Sequence, residues 1–541
     1  MSKIKTRSFI VSNISLPFDA SEDEILNCAK GKMKRAGVEP SMLHFRLYKR
    51  SIDARKRKDI RVVCSVFAES ERPFSVDPES LLRQSVKAAT EEGPQVVVGD
   101  QPLAGRPLVV GMGPCGMFAA LLLAENGYRP IVIDRGASVS DRVEAVDRFY
   151  REKILDTATN IQFGAGGAGT FSDGKLVTRI GDPNCNYVLR QLHAFGAPDD
   201  VLTKAKPHVG TDVLRRVVEN ILNRIEELGG ALMYRCRLDG ISRKNGNTVI
   251  AHTTEGDISC GAVILAVGHS ARDTYAMLMK NGYDLVPKPF SVGVRIEHLQ
   301  EDIDRAMYGD LAGHPSLGRA EYNVSYTGDG RGVYSFCMCP GGEVVAAASE
   351  EGGVVVNGMS RYARDGKNAN AALAVSVRPE DCGNSVENAI AFQRSLERAA
   401  FVLGGKNYAA PIQTVGDFLS GRVGSEPTVV QPSYMGGHCR IADISSILPD
   451  FVTRGLQTGI AMFDRRIQGF SSDSALLTAV ETRTSAPLTI RRTEALTAAC
   501  DDLVYPCGEG AGYAGGITSA AVDGIRVALC IMARFSNKLP M

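Results

Sequence analysis

Apolar and polar positions follow two different textures along the chain. Before residue 100, "RSFIVSNISL" alternates with the period of two expected of a half-buried strand, and "EDEILNCAKGKMKRAG" spaces its apolar residues for one helix face. "LHFRLYKRSIDARKRKDIRVVCSVFA" reads as two strands around a basic turn. These elements predict a small α+β module over residues 1–100, closed by a stretch rich in Pro, Gly and acid ("EEGPQ…GDQPLAGRP"). From Pro107 the pattern becomes strand, glycine turn, apolar helix and second strand within thirty residues: "PLVVGMGPCGMFAALLLAENGYRPIVIDRG". "LRRVVENILNRIEELGG" then has helical spacing, and "ALMYRCRL", "TVIAHTT" and "GAVILAVG" read as strands. Residues 101–281 form the first part of an α/β unit on this reading. Residues 282–480 mix strand-like and loop segments, with "VYSFCMCPGGEVVAAAS" and the helix "NSVENAIAFQRSLERAAFVLG", and read as a substrate or cap region. Residues 481–541 return to strand, glycine turn and helix.

Bulk properties narrow the class. At 541 residues the chain exceeds one core, so two to four domains of ~150 residues are expected. A formal net charge of +1 gives no global drive towards nucleic acid or anionic membrane. No apolar run approaches the ~20 residues of a membrane helix, and the N-terminus lacks a secretory apolar core. Thirteen cysteines without C-x-x-C pairs, and eight histidines without ligand spacing, argue against a metal centre and for a reducing, cytoplasmic setting.

Three segments fit the pattern G-x-G-x-x-G, and context separates them. At Gly111, Gly113 and Gly116 a strand precedes, a small-residue helix follows, and the next strand ends in Asp134. Gly111 suits the tight turn, Gly113 the approach of a pyrophosphate to the backbone, and Gly116 close packing of helix on strand. The pyrophosphate would sit on the helix N-terminus and Asp134 would accept hydrogen bonds from the adenosine ribose. The match at Gly164, Gly166 and Gly169 lacks that frame; "FGAGGAGTFSDGKL" reads as a loop wrapping the cofactor or as a surface turn. The match at Gly510, Gly512 and Gly515 has strand and helix, but the chain reaches Met541 before a second strand. That segment must aim a helix N-terminus at a ligand held elsewhere.

A fingerprint near the start and a strand–Gly–acid–Gly–helix segment at the end resemble the FAD-binding fold of glutathione-reductase-like flavoproteins. With "SIDARKRKDI", "FGAGGAGTFSDGKL", "VILAVGHSARDTY", "CPGGEVV" and "PCGEGAGYAGGITSAAVDG", nearly the whole chain resembles a bacterial family of uncharacterised FAD-dependent dehydrogenases. The resemblance implies a Rossmann-like FAD-binding α/β fold of the glutathione-reductase type, with an inserted α+β substrate/cap domain and the N-terminal module. It implies non-covalent FAD and redox chemistry on a small-molecule substrate. Gly111, Gly113, Pro114, Cys115, Gly116, Asp134 and Arg135 would hold the ADP half. Gly166, Gly167, Gly169, Thr170, Ser172, Asp173, Gly174 and Lys175 would wrap the cofactor. Leu238 and the run Ala266, Val267 and Gly268 would pass beside it. Gly508, Glu509, Gly515, Gly516 and Ile517 would meet the ribityl chain and flavin ring. The family's "FGEGGAG" carries Glu where this chain has Ala165, which leaves that carboxylate without a counterpart.

For chemistry, Lys175 could fix an anionic substrate or stabilise reduced flavin, against a salt-bridged role. His269 could donate a proton, against satisfying a loop carbonyl. Cys337 and Cys339 would share a strand face as a candidate redox pair, although i, i+2 thiols close a disulfide only with strain. Cys115 reads as a small packing residue. With no second complete dinucleotide fold, NAD(P)H is expected at most as a transient electron donor. A rival reading rests on residues 46–61, whose eight Lys or Arg against two Asp could contact tRNA. A flavin-bearing redox sensor without turnover is the third.

Overall fold

The structure, a computed structural model, describes residues 3–89, 93–328 and 330–538. Glu91 and Glu92 of the predicted linker lie outside the described residues. The first core belongs to the N-terminal module. Its antiparallel sheet runs in the order His44–Asp53, Arg61–Val76, Ile4–Pro17, Val86–Ala88. The helix Glu22–Arg35 closes it by burying Ile25, Ala29 and Met33, four residues apart and so on one face. Ser21 starts that helix through a reciprocal cap: its hydroxyl accepts from the Glu24 amide and Glu24 accepts from the Ser21 amide at 2.8 Å. The basic turn Arg55, Lys56, Arg57 and Lys58 is an exposed hairpin tip.

The second core surrounds a five-stranded parallel sheet in the order Val504–Pro506, Ala262–Leu265, Pro107–Val110, Ile131–Ile133, Ala231–Met233. Its central strands are buried residue for residue, which a parallel sheet covered on both faces requires. The helices Pro114–Glu125 and Ile517–Arg534 pack against each other, so the two ends of this unit form one body. The zipping begins earlier than the predicted boundary. The Gly99 amide donates to the Met532 carbonyl at 2.8 Å, and Gln101–Pro102 pairs with Phe535–Ser536. "ALMYRCRL" is not one strand: Ala231–Met233 ends the parallel sheet and Leu238–Asn245 joins a separate three-stranded antiparallel sheet. Arg235, at φ +55°, makes the corner between them.

The third core belongs to residues 285–481, which hold more regular strand than their pattern predicts. Seven strands run in the order Ser325–Gly328, Arg331–Cys339, Asn368–Val377, Phe290–Leu299, Leu476–Glu481, Ala410–Thr414, Cys439–Ile441. The interior strand Asn368–Val377, "NANAALAVSV", is built mostly from small residues of poor strand propensity. Nine of its ten residues are nevertheless buried, so packing, not propensity, determines it. The helix Asp450–Asp464 covers the sheet with Leu456, Ile460 and Phe463. A two-stranded neck, Leu285–Pro287 with Leu488–Ile490, joins this unit to the parallel sheet. Among the described residues, no helix is long and apolar enough to cross a membrane.

Candidate functional site

A cleft of about 1050 Å³ opens between the parallel sheet and the seven-stranded sheet. Its floor is the Gly111 turn. The Gly111 amide donates to the Ile133 carbonyl at 2.8 Å, which holds the turn over the sheet's carboxyl edge. At Gly116 an added Cβ would lie 1.9 Å from the Gly111 carbonyl, so only glycine lets the helix start this close. Asp134, buried at the end of its strand, accepts from the amides of Met112 (2.9 Å) and Gly136 (2.8 Å). The C-terminal segment closes the opposite side, with Glu509, Gly515, Gly516 and Ile517 lining the cleft. The Tyr275 hydroxyl lies 2.9 Å from the carbonyls of both Gly268 and Gly510, which ties the "AVG" turn to that segment. The sulfurs of Cys115 and Cys507 lie 3.0 Å apart and join the first helix to the last strand.

The predicted residues fall into three groups. Gly111, Gly113, Pro114, Cys115, Asp134, Gly167, Gly169, Ser172, Lys175, Ala266, Val267, Gly268 and His269 line the cleft, as does the C-terminal set from Glu509 on. Arg135 and Leu238 line a small adjoining pocket that shares Gly111, Asp134 and Val267 with it. Gly116, Gly166, Thr170, Asp173, Gly174 and Gly508 do not line it. The Gly166 amide donates to the Met112 carbonyl, and the Thr170 hydroxyl donates to the Ala165 carbonyl. The Gly174 amide donates to the Ser172 hydroxyl. Gly508 donates its amide to Asp523. These residues shape the loop from behind. Asp173 is the anchor of a buried ion cluster: Arg364 approaches at 2.8 Å, Lys175 at 2.9 Å, and Ser360 donates to it. Burial alone would raise the Asp173 carboxyl, but Lys175 and Arg364 hold it well below the usual range. Lys175 is therefore salt-bridged, to Asp173 and to Glu321 at 3.7 Å, while still reaching the cleft wall. His269 lines the cleft with its Nδ1 paired to the Ser270 hydroxyl at 2.9 Å. Burial, with Arg483 and Arg272 nearby, lowers it to about 4, so it is a neutral imidazole at physiological pH.

The far wall comes from residues the sequence did not single out: Asn323, Ser325, Tyr334, Asn357, Glu481 and Arg483. They lie on strands and loops far apart in the chain that converge only in the folded unit; the run "VETRTS" gave no local signal. Arg483 is clamped by Glu397 at 2.9 and 3.0 Å. Burial raises Glu481 to about 7, even with Arg295 beside it at 2.6 Å. Val177, Ile180, Phe336 and Tyr513 form an exposed apolar rim. On the opposite side burial raises Glu509 to about 7, against the pull of Lys288. A carboxyl whose folded pKa exceeds its unfolded value stabilises the fold below the unfolded pKa and loses that contribution as pH rises through the folded one. Glu509→Gln in the FAD-free protein is therefore expected to melt above the wild type at pH 8, with the gap closing towards pH 5. Thermal unfolding at the two pH values checks it.

The residues fit FAD by their chemistry. Two helix N-termini, Pro114–Glu125 and Ile517–Arg534, open onto one cleft, and each offers unpaired amides and a positive dipole end to an anion. Asp134 stands where the fingerprint places the ribose acid. Residues 289–484 match the family described as "FAD-dependent protein, C-terminal domain-like", and residues 10–69 match a domain of unknown function. Solved structures with some likeness include CtdE in complex with FAD, at 12% identity over 80% of this chain and 84% of that one, TM-score 0.31. Another is the ternary complex of aklavinone-11 hydroxylase with FAD and aklavinone, at 14% identity over 80% and 63%, TM-score 0.33. An uncharacterised protein of Clostridium beijerinckii is 46% identical over 536 residues, 97% of this chain and 98% of that protein. The chain thus belongs to the family of that clostridial protein, and its cofactor is non-covalent FAD.

Proposed function

We propose that the protein is an oxidoreductase, a dehydrogenase or reductase, that exchanges electrons between FAD and a small molecule held against the seven-stranded sheet. One observation carries this: a single cleft runs from the glycine fingerprint to a wall of polar side chains drawn from a different core. Gly111, Gly113, Cys115 and Asp134 hold the ADP half, and Glu509, Gly516 and Ile517 the ribityl and ring half. Bound there, FAD supplies a two-electron acceptor and donor whose reduced form is stabilised by positive charge near the pyrimidine edge. Arg483 faces the cleft and is held in place by Glu397, so it orients a substrate oxygen. Glu481, near 7, holds or releases a proton at its carboxyl within the working pH range. The apolar rim excludes water and selects a ligand with an apolar face. NAD(P)H is the electron donor tried first, from a site without a fingerprint.

Anaerobic mixing of the yellow protein with NADH or NADPH, followed by a screen of small molecules for reoxidation, tests the reading. Bleaching of the flavin bands and their return with one substrate class is the expected result. If no donor bleaches the flavin at a useful rate, the oxidoreductase reading is lost and a redox sensor without turnover takes its place.

A further inference from the structure

We infer that Cys337 and Cys339 form a redox-active dithiol in the cleft that reduces low-molecular-weight disulfides, with Cys337 attacking and Cys339 resolving. The expectation that they share a regular strand face is overturned by the backbone. Phe336 pairs with Ala372 and Cys339 with Asn370, so three steps on one strand oppose two on its partner. Cys337 sits in this bulge at φ +44°, a left-handed conformation rare for a side-chain-bearing residue. The bulge compresses the rise to roughly two-thirds of the usual ~3.4 Å per residue. Residues two apart in such a bulge lie closer than the ~6.8 Å of a regular strand, within the ~4.4–6.8 Å between Cα atoms that a disulfide spans. The strain that ordinarily keeps i, i+2 thiols apart is thus already taken up by the fold.

The two thiols are placed unequally. Cys337 is half-buried and lines the cleft, whereas Cys339 is fully buried behind it with its sulfur 3.3 Å from the Cys337 carbonyl. Charged groups meet the pair from several elements. Arg295, from the strand beyond Asn368–Val377, donates to the Cys337 carbonyl at 2.9 Å and is paired with Glu481; Lys175 and Asp173 face it from the glycine loop. A hydrogen bond from Cys339, with Arg295 and Lys175 nearby, lowers the Cys337 thiol against burial and Asp173. Cys339 is raised in turn by the same bond and by burial. The thiol pushed down thus faces the cleft and the thiol pushed up lies protected behind it, the asymmetry that attack and resolution require.

The chemistry balances without turnover of the bound cofactor. The Cys337 thiolate attacks one sulfur of R–S–S–R′, the S–S bond breaks, and R′S⁻ leaves and takes a proton. Cys339 then gives up its proton to the second leaving thiolate as its sulfur displaces RS⁻ from Cys337. The products are RSH, R′SH and the Cys337–Cys339 disulfide; two electrons pass from the dithiol to the substrate. A small-molecule dithiol restores the reduced pair with two electrons and two protons.

The FAD-loaded protein, reduced with dithiothreitol and desalted anaerobically, is mixed with oxidised glutathione, quenched in acid, alkylated and mapped by mass spectrometry. Release of two glutathiones per chain and a disulfide between Cys337 and Cys339 are expected. Cys339→Ser should stop with one glutathione on Cys337, and Cys337→Ser should lose the fast phase. A race in the unmutated protein needs no variant to fold: at pH 6, Cys337 should alkylate on the order of tenfold faster than the exposed Cys500. The inference is overturned if Cys337 is no faster than Cys500. It is equally overturned if glutathione stays on Cys337 unresolved, or if the disulfide maps to Cys115 and Cys507.

Discussion

Gly111→Ala yields a protein that purifies without colour and binds added FAD at least about 100-fold more weakly, a loss of roughly 2.7 kcal/mol. Two independent costs lead there. Gly111 sits at φ +108°, where a residue with a side chain is strained by about 1–3 kcal/mol. A Cβ at this position would also lie 2.3 Å from the Ala266 carbonyl, which is backbone in a neighbouring strand end and cannot swing aside. Relief requires the turn to lift from the sheet, and the turn is the floor of the cleft. Gly181→Ala serves as the control: its Cβ meets nothing within 4 Å, so its effect should stay within about 0.5 kcal/mol. Flavin absorbance of the purified variants and titration with FAD read the result. Undiminished affinity in Gly111→Ala would mean that the cradle lies elsewhere.

Glu397→Ala is expected to destabilise the chain by about 3–5 kcal/mol, the usual cost of leaving buried charge unpaired. Glu397 is 1% exposed and receives both Arg272, at 2.8 and 2.9 Å, and Arg483, at 2.9 and 3.0 Å, with the Thr482 hydroxyl as a further donor. Its removal takes the carboxylate from Arg483 and leaves Arg272 with Glu350 alone, at 2.8 Å, between the helix Val386–Leu403, the helix Arg272–Lys280 and the end of the strand Leu476–Glu481. A fall in melting temperature of roughly 5 °C or more is expected at pH 7.5. The pH dependence has a definite sign. Burial alone would raise this carboxyl, but Arg483 and Arg272 hold it well below its unfolded value. Its contribution is therefore complete above the unfolded pKa of ~4.3 and is lost as pH falls through the folded one. The gap between wild type and variant should be widest near neutrality and narrow below pH 4. A gap that is constant with pH would assign Glu397 to packing instead. Because Arg483 faces the cleft, the same variant should also weaken substrate binding at temperatures where it stays folded.

Much of this was legible because the relevant constraints are local. The Gly111 fingerprint needs only consecutive residues: an apolar strand, glycines where a Cβ would strike backbone, a helix start and an acid at the next strand end. The N-terminal module was equally readable, since its alternation and the Ser21–Glu24 cap are short-range patterns. The segment around Gly510 puts Glu509, Gly515, Gly516 and Ile517 on the cleft wall at a helix start.

What stayed illegible shares one cause. Gly166, Thr170, Asp173, Gly174 and Gly508 sit in motifs that point to the cofactor, yet which side of a loop faces the ligand depends on what packs behind it. Asp173 looks like a ligand residue in "FSDGK", but Arg364, 191 positions later, claims it. Glu481 and Arg483 carry no local signal, because their environment is assembled from strands that meet only in the seven-stranded sheet. Cys337 and Cys339 were visible as a pair, but their backbone is set by a bulge against Asn368–Val377. Adjacent residues suffice to specify the Gly111 turn, because close approach of backbone to backbone is a local demand. The far wall of the cleft and its ion pairs come from the tertiary fold, because burial and charge pairing depend on partners far away in the chain.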